Sequence, residues 1–369
     1  MDRGLLSGEV SVTYPGLRLG PGEEAGEARV PGRAPGARGN EEAPTRQGLG
    51  DGILTVNKAA GWTSHDVVAK LRTLLRGPRI GHAGTLDPAA TGVLPVLVGR
   101  ATRIAEYLLD WDKEYRAVLR LGETTDTQDA TGRVLARCGA VGLEPETIRS
   151  VIAGFQGRLR QVPPMYSAVK VGGEPLYKAA RAGRYIERGP RDITIHRIEV
   201  LAVTGRDVTL SLVCSKGTYV RTLCADIGEA LGVGGHLLTL ERRRVGPLTL
   251  DRALSIEEID SKLSAGRLAE DLMSLDEALQ ALPVLVVDEA TSVRVLHGVP
   301  VPSEKVHWTV APEKGPLKVG QAVRLKDPAG RLLALGEVPE GNLGTEAPAS
   351  GAPRAVPILK VLADALGKN

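Results

Sequence analysis

The densest group of chemically useful residues in the sequence lies between Gly81 and Gly92, which reads GHAGTLDPAATG. Its glycines allow sharp turns and close approach of a ligand. Its single carboxylate, Asp87, precedes a proline, which favours an extended backbone before it. The hydroxyl groups of Thr85 and Thr91 can fix the loop through hydrogen bonds to the backbone. The segment is therefore either a catalytic loop built around one carboxylate or an elaborate turn in which Asp87 caps a backbone N–H.

Other arrangements that carry chemistry are missing or poorly placed. The sequence has no GxxxxGK[ST] and no GxGxxG between a predicted strand and helix, and none of its six histidines belongs to HExxH. Ser64, His65 and Asp66 are the residue types of a hydrolase triad, but triad members meet in space rather than as neighbours. Ser64 is better explained as the N-cap of a helix that runs through Leu75.

Composition excludes further classes of protein. The three cysteines (Cys138, Cys214 and Cys224) show no CxxC spacing, so neither a disulfide framework nor a cysteine zinc site is expected, which fits a reducing cytoplasm. No apolar stretch approaches the roughly 20 residues that cross a bilayer. The N-terminus also lacks the basic start and apolar run of a secretory signal. We therefore expect a cytoplasmic protein that does not enter a membrane.

Positive charge is concentrated in one part of a nearly neutral chain. The formal net charge is +3, but residues 158–197 contain nine Lys or Arg and only three acids. The same stretch holds Tyr166, Tyr177 and Tyr185, three of the seven tyrosines. Basic side chains interleaved with aromatic rings suit a phosphate backbone with stacked bases. A solvated surface loop is the alternative, and charge by itself favours it.

The elements that must position the 81–92 segment are strands and helices without a regular βα repeat. Residues 53–56 and 93–98 read as buried strands, and 115–121 alternates between apolar and polar side chains like a half-buried strand. Helices are expected near 64–75, 102–109, 145–155, 175–183 and 219–231, and strands near 192–203, 207–214 and 236–245. This mixture predicts an α+β fold with a mixed, largely antiparallel sheet.

Three regions are distinguished along the chain. Residues 1–50 contain 11 Gly and 5 Pro without any periodicity, and we interpret them as a disordered extension. Residues 51–281 form the predicted catalytic domain. Residues 282–369 contain three predicted strands, at 284–287, 322–325 and 332–337, and form a small β-rich domain.

Five motifs resemble those of the TruB family, the bacterial tRNA pseudouridine synthases. They are GHAGTLDPAATGVLPV, GILTVNKAAGWTSHDVV, KEYRAVLRLGETTDTQDATG, SKGTYVRTLCADIG and HLLTLERRRVGPLTLDRA. The segment QVPPMYSAVKVGGEPLYKAARAG is similar to the family's RNA-gripping insertion, at about 158–191. The tail, with VGQAVRLKDPAGRLLALGEV, resembles more weakly a PUA domain, a small RNA-binding domain. The resemblance spans roughly residues 52–280, in order, and implies a sheet of the pseudouridine synthase type followed by a PUA-like domain.

The resemblance also implies roles for individual residues. Asp87 corresponds to the catalytic aspartate. The substrate-binding residues implied are His82, Tyr115, Tyr219, Arg221 and Leu240, and the residues implied to grip the RNA backbone are Lys170, Lys178 and Arg181. The implied reaction isomerises uridine 55 in the T loop of tRNA, with the T-arm stem-loop as the partner. We expect no metal, no cofactor and no required protein partner, and a monomer.

These residue types suit the implied chemistry. Breaking the glycosidic bond of uridine passes through an oxocarbenium-like state that a carboxylate can stabilise or trap. Tyr219 and Arg221 are two residues apart, so on an extended segment they would face one side. From there Arg221 can pair with Asp87 and keep it ionised. Two rival functions remain: the same scaffold acting on another RNA, and a non-catalytic module that folds tRNA.

Overall fold

The structure is a computed structural model that describes residues 49–138, 142–167, 169–302, 306–310, 317–339 and 355–364. The first elements in chain order are β1 (Gly52–Lys58), α1 (Ser64–Leu75), β2 (Ile80–His82), β3 (Thr91–Val98), α2 (Ala105–Leu109), β4 (Lys113–Leu121), β5 (Glu123–Thr125), β6 (Val134–Arg137), α3 (Pro145–Ala153), β7 (Gly157–Gln161), β8 (Lys170–Val171), β9 (Glu174–Pro175) and α4 (Leu176–Arg181). The predicted 1–50 extension lies outside the described residues, apart from its last two.

The second half of the chain completes one large sheet and adds a smaller one. Its elements are β10 (Arg191–Thr204), β11 (Asp207–Cys214), α5 (Val220–Ala230), β12 (Gly235–Val245), β13 (Leu248–Thr249), α6 (Ile256–Ser264), β14 (Leu272–Met273), α7 (Leu275–Ala278), β15 (Val284–Val287), α8 (Glu289–Leu296), β16 (Val301–Pro302), β17 (Val306–Val310), β18 (Ala322–Lys326), β19 (Leu332–Glu337), β20 (Ala355–Val356) and β21 (Ile358–Val361).

The large sheet has the order β14-β1-β3-β12-β4-β11-β10-β7, with β2 on β3 and β13 on β12. Its strands pair antiparallel except β12 and β3, which run parallel over a short register that joins Arg242 to Gly92. The predicted α+β fold with a largely antiparallel sheet is confirmed. The parallel junction matters because it brings β12 beside the segment that carries Asp87.

The hydrophobic cores form where helices pack against the large sheet. The buried side chains of β4, β10 and β11 pack with α3 and α5, and those of β1 and β3 pack with α1 and α6. The alternation predicted for 115–121 is present along β4, whose odd-numbered side chains are buried. Each buried apolar side chain stabilises the fold by about 1.5–3 kcal/mol relative to exposure.

The C-terminal β-rich domain has a five-stranded sheet in the order β17-β15-β18-β19-β21. Its predicted strands at 284–287, 322–325 and 332–337 are confirmed with small changes of boundary. Leu335 and Leu362 from this domain are buried together with Leu248 and Leu279. Arg100 also forms an ion pair with Asp364, which adds a polar contact at the same junction.

Two local expectations were wrong, and a third, the helix at 102–109, is confirmed only in part. The N-cap of α1 is Thr63, whose hydroxyl accepts from the Asp66 N–H while the Asp66 carboxylate accepts from the Thr63 N–H. Ser64 is instead the first residue of the helix and is buried. The predicted helix at 102–109 is a 3-10 turn over Gly99–Ile104 that leads into the short α2. Tyr219 and Arg221 do not lie on an extended segment, because Arg221 belongs to α5 and Tyr219 precedes it.

Candidate active site

Asp87 lies in the loop that connects β2 to β3. The two strands are paired antiparallel, with His82 opposite Val96, so the loop leaves and re-enters the sheet at the same end of this strand pair. Ser64 of α1 supports the loop, because its hydroxyl accepts from the Leu86 N–H at 2.9 Å and lies 3.3 Å from the Leu86 carbonyl oxygen. The backbone beside Asp87 is therefore anchored to the first turn of a helix.

Lys58 supports the other side of the same loop. Its side chain is buried, and its ammonium donates to the carbonyl oxygens of Ala59, Trp62 and Pro88 at 3.0, 2.7 and 3.2 Å. Burial lowers the pKa of the Lys58 ammonium to about 8, although the charge of Asp87 opposes this shift. Sequence reasoning missed Lys58, since a lysine at the end of an apolar strand gives no signal until the fold shows that it is buried.

Arg221 is the ion-pair partner of Asp87 in the structure. Its Nε lies 2.9 Å from Asp87 Oδ2, and its Nη2 lies 3.4 Å from Oδ1, so the guanidinium faces both carboxylate oxygens. Nη2 also donates to the carbonyl of Tyr166 at 2.9 Å, and Nη1 lies 3.6 Å from Asp129 Oδ2. The Arg221 side chain is only 6% exposed. A planar fork held at several points can fix the orientation of a carboxylate.

The pKa of Asp87 is nevertheless raised above its ordinary value. Burial is the largest cause, the Arg221 guanidinium opposes it, and the Asp129 carboxylate adds to the rise. Arg221 thus limits the shift without cancelling it. Asp87 therefore loses its charge at a higher pH than an ordinary aspartate.

A small pocket of about 60 Å³ opens beside the carboxylate. Its wall includes Asp87, Asp129, Thr131, Arg221 and Leu240, so the structure brings Leu240 to the same place as Asp87 and Arg221. A larger cleft of about 440 Å³ lies elsewhere, lined by residues of 247–258 and 270–277 together with Thr55. The larger cleft contains no residue of the Asp87 loop, so the smaller pocket is the better candidate for the reacting base.

Tyr115 and Tyr219 come from different elements, and neither is among the residues that line this pocket. Tyr115 is buried on β4, and burial raises the pKa of its phenol. Tyr219 is held through its peptide, because its N–H donates to Gln161 and its carbonyl accepts from the same side chain, at 2.8 and 3.1 Å. Burial also raises the pKa of the Tyr219 phenol. Both phenols are therefore neutral, and each feels the charge of Asp87.

His82 is the last residue of β2 and directly precedes the loop that carries Asp87. Its ring meets His65 edge to face, with centroids 5.4 Å apart. Its Nδ1 is buried and has no hydrogen-bond partner among the described residues. Burial, followed by the nearby charges of His65 and Arg242, lowers the pKa of the His82 imidazole. A neutral ring with an unsatisfied nitrogen is suited to contact with a base.

The three residues expected to grip RNA do not lie in the pocket. Lys178 and Arg181 are exposed on α4, where the Arg181 guanidinium stacks over Tyr177 at 5.7 Å. Arg188 stacks in the same way over Tyr185, which is 78% exposed. The side chain of Lys170 lies outside the described part of the chain. The insertion thus presents cations and rings together on its surface.

Sequence reasoning also missed Asp129 and Arg242. Asp129 accepts hydrogen bonds from Thr127 and Thr131, and it shares Arg221 with Asp87. Arg242, on β12, donates to the carbonyl oxygen of Val93 at 2.7 Å and to that of Gly84 at 3.0 Å. The sequence TTDTQDATG contains two acids, Asp126 and Asp129, and only the folded distances distinguish Asp129.

Two negative observations apply to the described residues alone. No group of three or more His, Cys, Asp or Glu side chains is arranged so that it would hold a metal ion. No helix in the described ranges is both long enough and apolar enough to span a membrane.

Comparisons with known proteins identify the family of this chain. Residues 72–220 match the family described as TruB family pseudouridylate synthase (N terminal domain), and residues 221–286 match the tRNA pseudouridylate synthase B C-terminal domain. The tRNA pseudouridine synthase B of Ectopseudomonas mendocina is 43% identical over 78% of this chain and 91% of its own length. That of Geobacter sulfurreducens is 48% identical over 69% and 84%.

Solved structures show the same relationship at a greater distance. The chain is similar to a chain of a Cbf5-Nop10-Gar1 complex, with a TM-score of 0.68, 28% identity and 88% of each chain covered. It is also similar to a chain of an H/ACA RNP bound to a substrate RNA containing 2'-deoxyuridine, with a TM-score of 0.65, 25% identity and 88% of each chain covered. With two matching family domains and relatives this similar over most of their length, the chain belongs to the TruB family of pseudouridine synthases, which are isomerases.

Proposed function

We propose that this protein isomerises uridine 55 in the T loop of tRNA to pseudouridine, with Asp87 as the nucleophile. The observation that carries the proposal is the Asp87 carboxylate itself, faced on both oxygens by Arg221 at the wall of a small pocket. The relatives that share 42–48% of their residues with this chain are named tRNA pseudouridine synthase B, which supports tRNA as the substrate.

The residues of the pocket suit this isomerisation. The bond between N1 of uracil and C1′ of the ribose must break, and the ring must reattach through C5, which then loses its proton. The Asp87 carboxylate is the one group at the loop that can stabilise or trap the sugar as positive charge develops on it. Retaining the free base requires that water be kept out, for which an apolar wall such as Leu240 is suited.

We assign the neighbouring side chains as follows. Arg221 holds the carboxylate in the orientation for attack. Tyr115 stacks on the uracil and assists the later removal of a proton, and Tyr219 closes the pocket next to Arg221. The base must first be turned out of the folded loop, and His82 fills the stack that it leaves. Lys170, Lys178 and Arg181 of the 158–191 insertion bind RNA phosphates.

The C-terminal β-rich domain, from about residue 282 onwards, is proposed to be PUA-like and to bind the same RNA outside the pocket. Its packing against the catalytic domain through Leu335 and Leu362 supports a fixed arrangement of the two RNA-binding surfaces. The protein is proposed to act without a cofactor or a protein partner.

A second candidate is action on a different RNA. It is favoured by the similarity to chains from RNP complexes, one of them bound to a substrate RNA. Those chains are 25–28% identical, whereas the named tRNA enzymes are 42–48% identical, so tRNA is the better-supported substrate.

The test compares a bare T-arm stem-loop with a stem-loop of unrelated sequence, each treated with the wild type. Because isomerisation leaves the mass unchanged, the product is read by an adduct specific for pseudouridine. We expect conversion of uridine 55 in the T loop, of no other uridine in that stem-loop, and of none in the unrelated RNA. Binding without conversion would contradict the enzyme and favour the folding module, and conversion of the unrelated RNA alone would favour the second candidate.

A further inference from the structure

Arg242 is an unusually buried charge in this protein. It projects from β12, and it is among the largest of the fully buried side chains, with 2% of its surface exposed. Its Nε and Nη2 donate to the carbonyl oxygens of Val93 and Gly84, and its Nη1 lies 3.5 Å from the carbonyl oxygen of Thr85. None of these bonds, all within the described residues, goes to a carboxylate. A buried arginine without a carboxylate partner is costly to maintain.

The carbonyl groups that Arg242 binds belong to the segment that carries Asp87. Gly84 and Thr85 lie three and two residues before it, and Val93 lies on the strand that follows. The guanidinium therefore spans the entrance and the exit of the loop. Ser64 binds Leu86 and Lys58 binds Pro88, close to Asp87 itself. Arg242 binds parts of the segment that Ser64 and Lys58 do not contact.

Tyr115 stands directly opposite Arg242. The two residues are partners in the antiparallel register of β4 and β12, so their side chains leave the same face of the sheet. Burial raises the pKa of the Tyr115 phenol, and the Arg242 guanidinium opposes that rise both through its charge and as a hydrogen-bonding neighbour. The same guanidinium thus binds the loop of Asp87 and lies beside the phenol group of Tyr115.

Backbone contact also brings β12 and β3 together at this point. At Gly92, whose φ is +99°, an added Cβ would lie 2.2 Å from the backbone oxygen of Arg242. The Arg242 side chain adds its bond to the Val93 carbonyl of β3. The Arg242 backbone and side chain are therefore both held against the strand that follows the Asp87 loop.

We propose that Arg242 is a positioning residue that fixes Tyr115 relative to the Asp87 loop. It holds the loop through the carbonyl groups of Gly84 and Thr85 and holds the phenol across the sheet, so that the ring and the carboxylate keep one separation. The inference rests on the proposed function, because it assigns the distance between the stacking ring and the nucleophile to a third residue. Arg242 itself does not contact the reacting atoms.

Arg242→Lys tests the proposal, since it keeps the charge and loses the fork that spans several carbonyl groups. The matched control is Arg324→Lys, because Arg324 is also buried and also donates to backbone carbonyl oxygens, those of Leu282 and Gln280. Displacement of a catalytic group by about 1 Å can cost roughly 100-fold, so we expect kcat for the stem-loop to fall about 100-fold in Arg242→Lys. KM should change by less than about threefold, and the Tm should fall no further than in the control.

A double-mutant cycle with Tyr115→Phe separates positioning from general support of the fold. If Arg242 acts by linking the ring to the loop, Arg242→Lys should cost clearly less in the Tyr115→Phe protein than in the wild type. Equal costs in both proteins would overturn the proposal, as would a wild-type kcat in Arg242→Lys. Arg242→Gln, which keeps a neutral donor, serves if the lysine variant does not fold. Failure of both to fold, while Arg324→Lys folds, would mean that Arg242 is structural and the proposal is wrong.

The wild type is assayed in the same experiment. No product from the wild type would contradict the proposed function, whereas product from the wild type and from Arg242→Lys at equal rates would contradict only the role of Arg242. The two failures are therefore distinguishable.

Discussion

Asp87 and Arg221 form an ion pair in which burial and charge act in opposite directions on the pKa of Asp87. Burial raises the pKa of Asp87, and Arg221 limits the rise. Because the nucleophile must be ionised, activity is expected to fall as pH decreases through this raised pKa. The acid limb of the pH–rate profile should therefore lie above the range of an ordinary aspartate.

Asp87→Asn removes the nucleophile and keeps the shape of the side chain. We expect turnover of the stem-loop to fall by at least about four orders of magnitude, as for loss of a sole nucleophile, while tRNA binding and Tm stay nearly unchanged. Asp207→Asn is the control, because Asp207 is an aspartate ion-paired with Arg120 on another part of the sheet. Multiple turnovers by Asp87→Asn would defeat the assignment.

Replacement of Arg221 should change the pH dependence as well as the rate. Arg221→Ala removes the larger of the two charges that lower the pKa of Asp87, the other being Lys58. The acid limb should therefore move to higher pH, and the residual rate should rise with pH. Arg221→Lys keeps the charge but cannot face both oxygens, and we expect strong impairment. An unshifted acid limb in Arg221→Ala, or a nearly normal rate in Arg221→Lys, would mean that Arg221 serves the RNA or the fold.

At the residue scale, the composition of the 81–92 segment pointed to Asp87, and the resemblance of SKGTYVRTLCADIG to the TruB family pointed to Arg221. Lys58, Asp129 and Arg242 also lie in motifs of that resemblance, but nothing in the sequence gave them a role. Arg242 lies 149 residues from Val93, whose carbonyl it binds. No local pattern encodes such a distance.

At the scale of elements, helix α1 holds the loop that carries Asp87. The first turn of α1 contributes Ser64, which was expected to cap the helix and instead binds the loop. The sequence TSHD holds two hydroxyl residues in succession, and either can serve as N-cap. Only the capping box that Thr63 forms with Asp66 decides between them.

Ser64→Ala measures this contact between α1 and the loop. The Leu86 N–H would be left without its buried partner, at a cost of about 1–3 kcal/mol in the free energy of unfolding. We expect kcat to fall more than substrate affinity, since the loop carries Asp87. Thr73→Ala is the control, because its exposed hydroxyl in the same helix binds only the Ala69 carbonyl. Equal behaviour of the two variants would show that Ser64 does not hold the loop.

The 158–191 insertion is the second element with a testable role. Replacing Lys170, Lys178 and Arg181 with Ala should weaken tRNA binding and reduce the slope of log K against log salt by about 0.9 or less for each phosphate that is no longer neutralised. Arg149→Ala on α3 is the control, because Arg149 is exposed and lies near Glu146. An unchanged slope in the triple variant would mean that these cations are merely solvated.

At the scale of the whole molecule, a shared apolar cluster joins the large sheet of the catalytic domain to the five-stranded sheet of the C-terminal domain. Leu335→Ala should lower the free energy of unfolding by about 2–5 kcal/mol, because the side chain is fully buried at this junction. Leu359→Ala, at a position 42% exposed in the same sheet, should cost far less. Urea denaturation measures both, and equal costs would mean that the cluster does not join the domains.

At this scale the α+β class and the β-rich C-terminal region were predictable from periodicity and turn residues. The order of the strands was not. The neighbours of β12 are β3 and β4, and its parallel contact with β3 joins residues about 150 positions apart. Periodicity tells which face of a strand is buried, whereas pairing depends on the packing of the complete sheet.

The anchors of the Asp87 loop come from distant parts of the chain, and this has a consequence for folding. Arg221 lies 134 positions from Asp87, and Arg242 lies 158 positions from Gly84. Contacts between residues so far apart in the sequence form late in folding, because the intervening chain must first be ordered. During refolding, helices should therefore form before the catalytic loop is fixed. Recovery of turnover should be the last signal to return, so that an active molecule is one whose sheet is already complete.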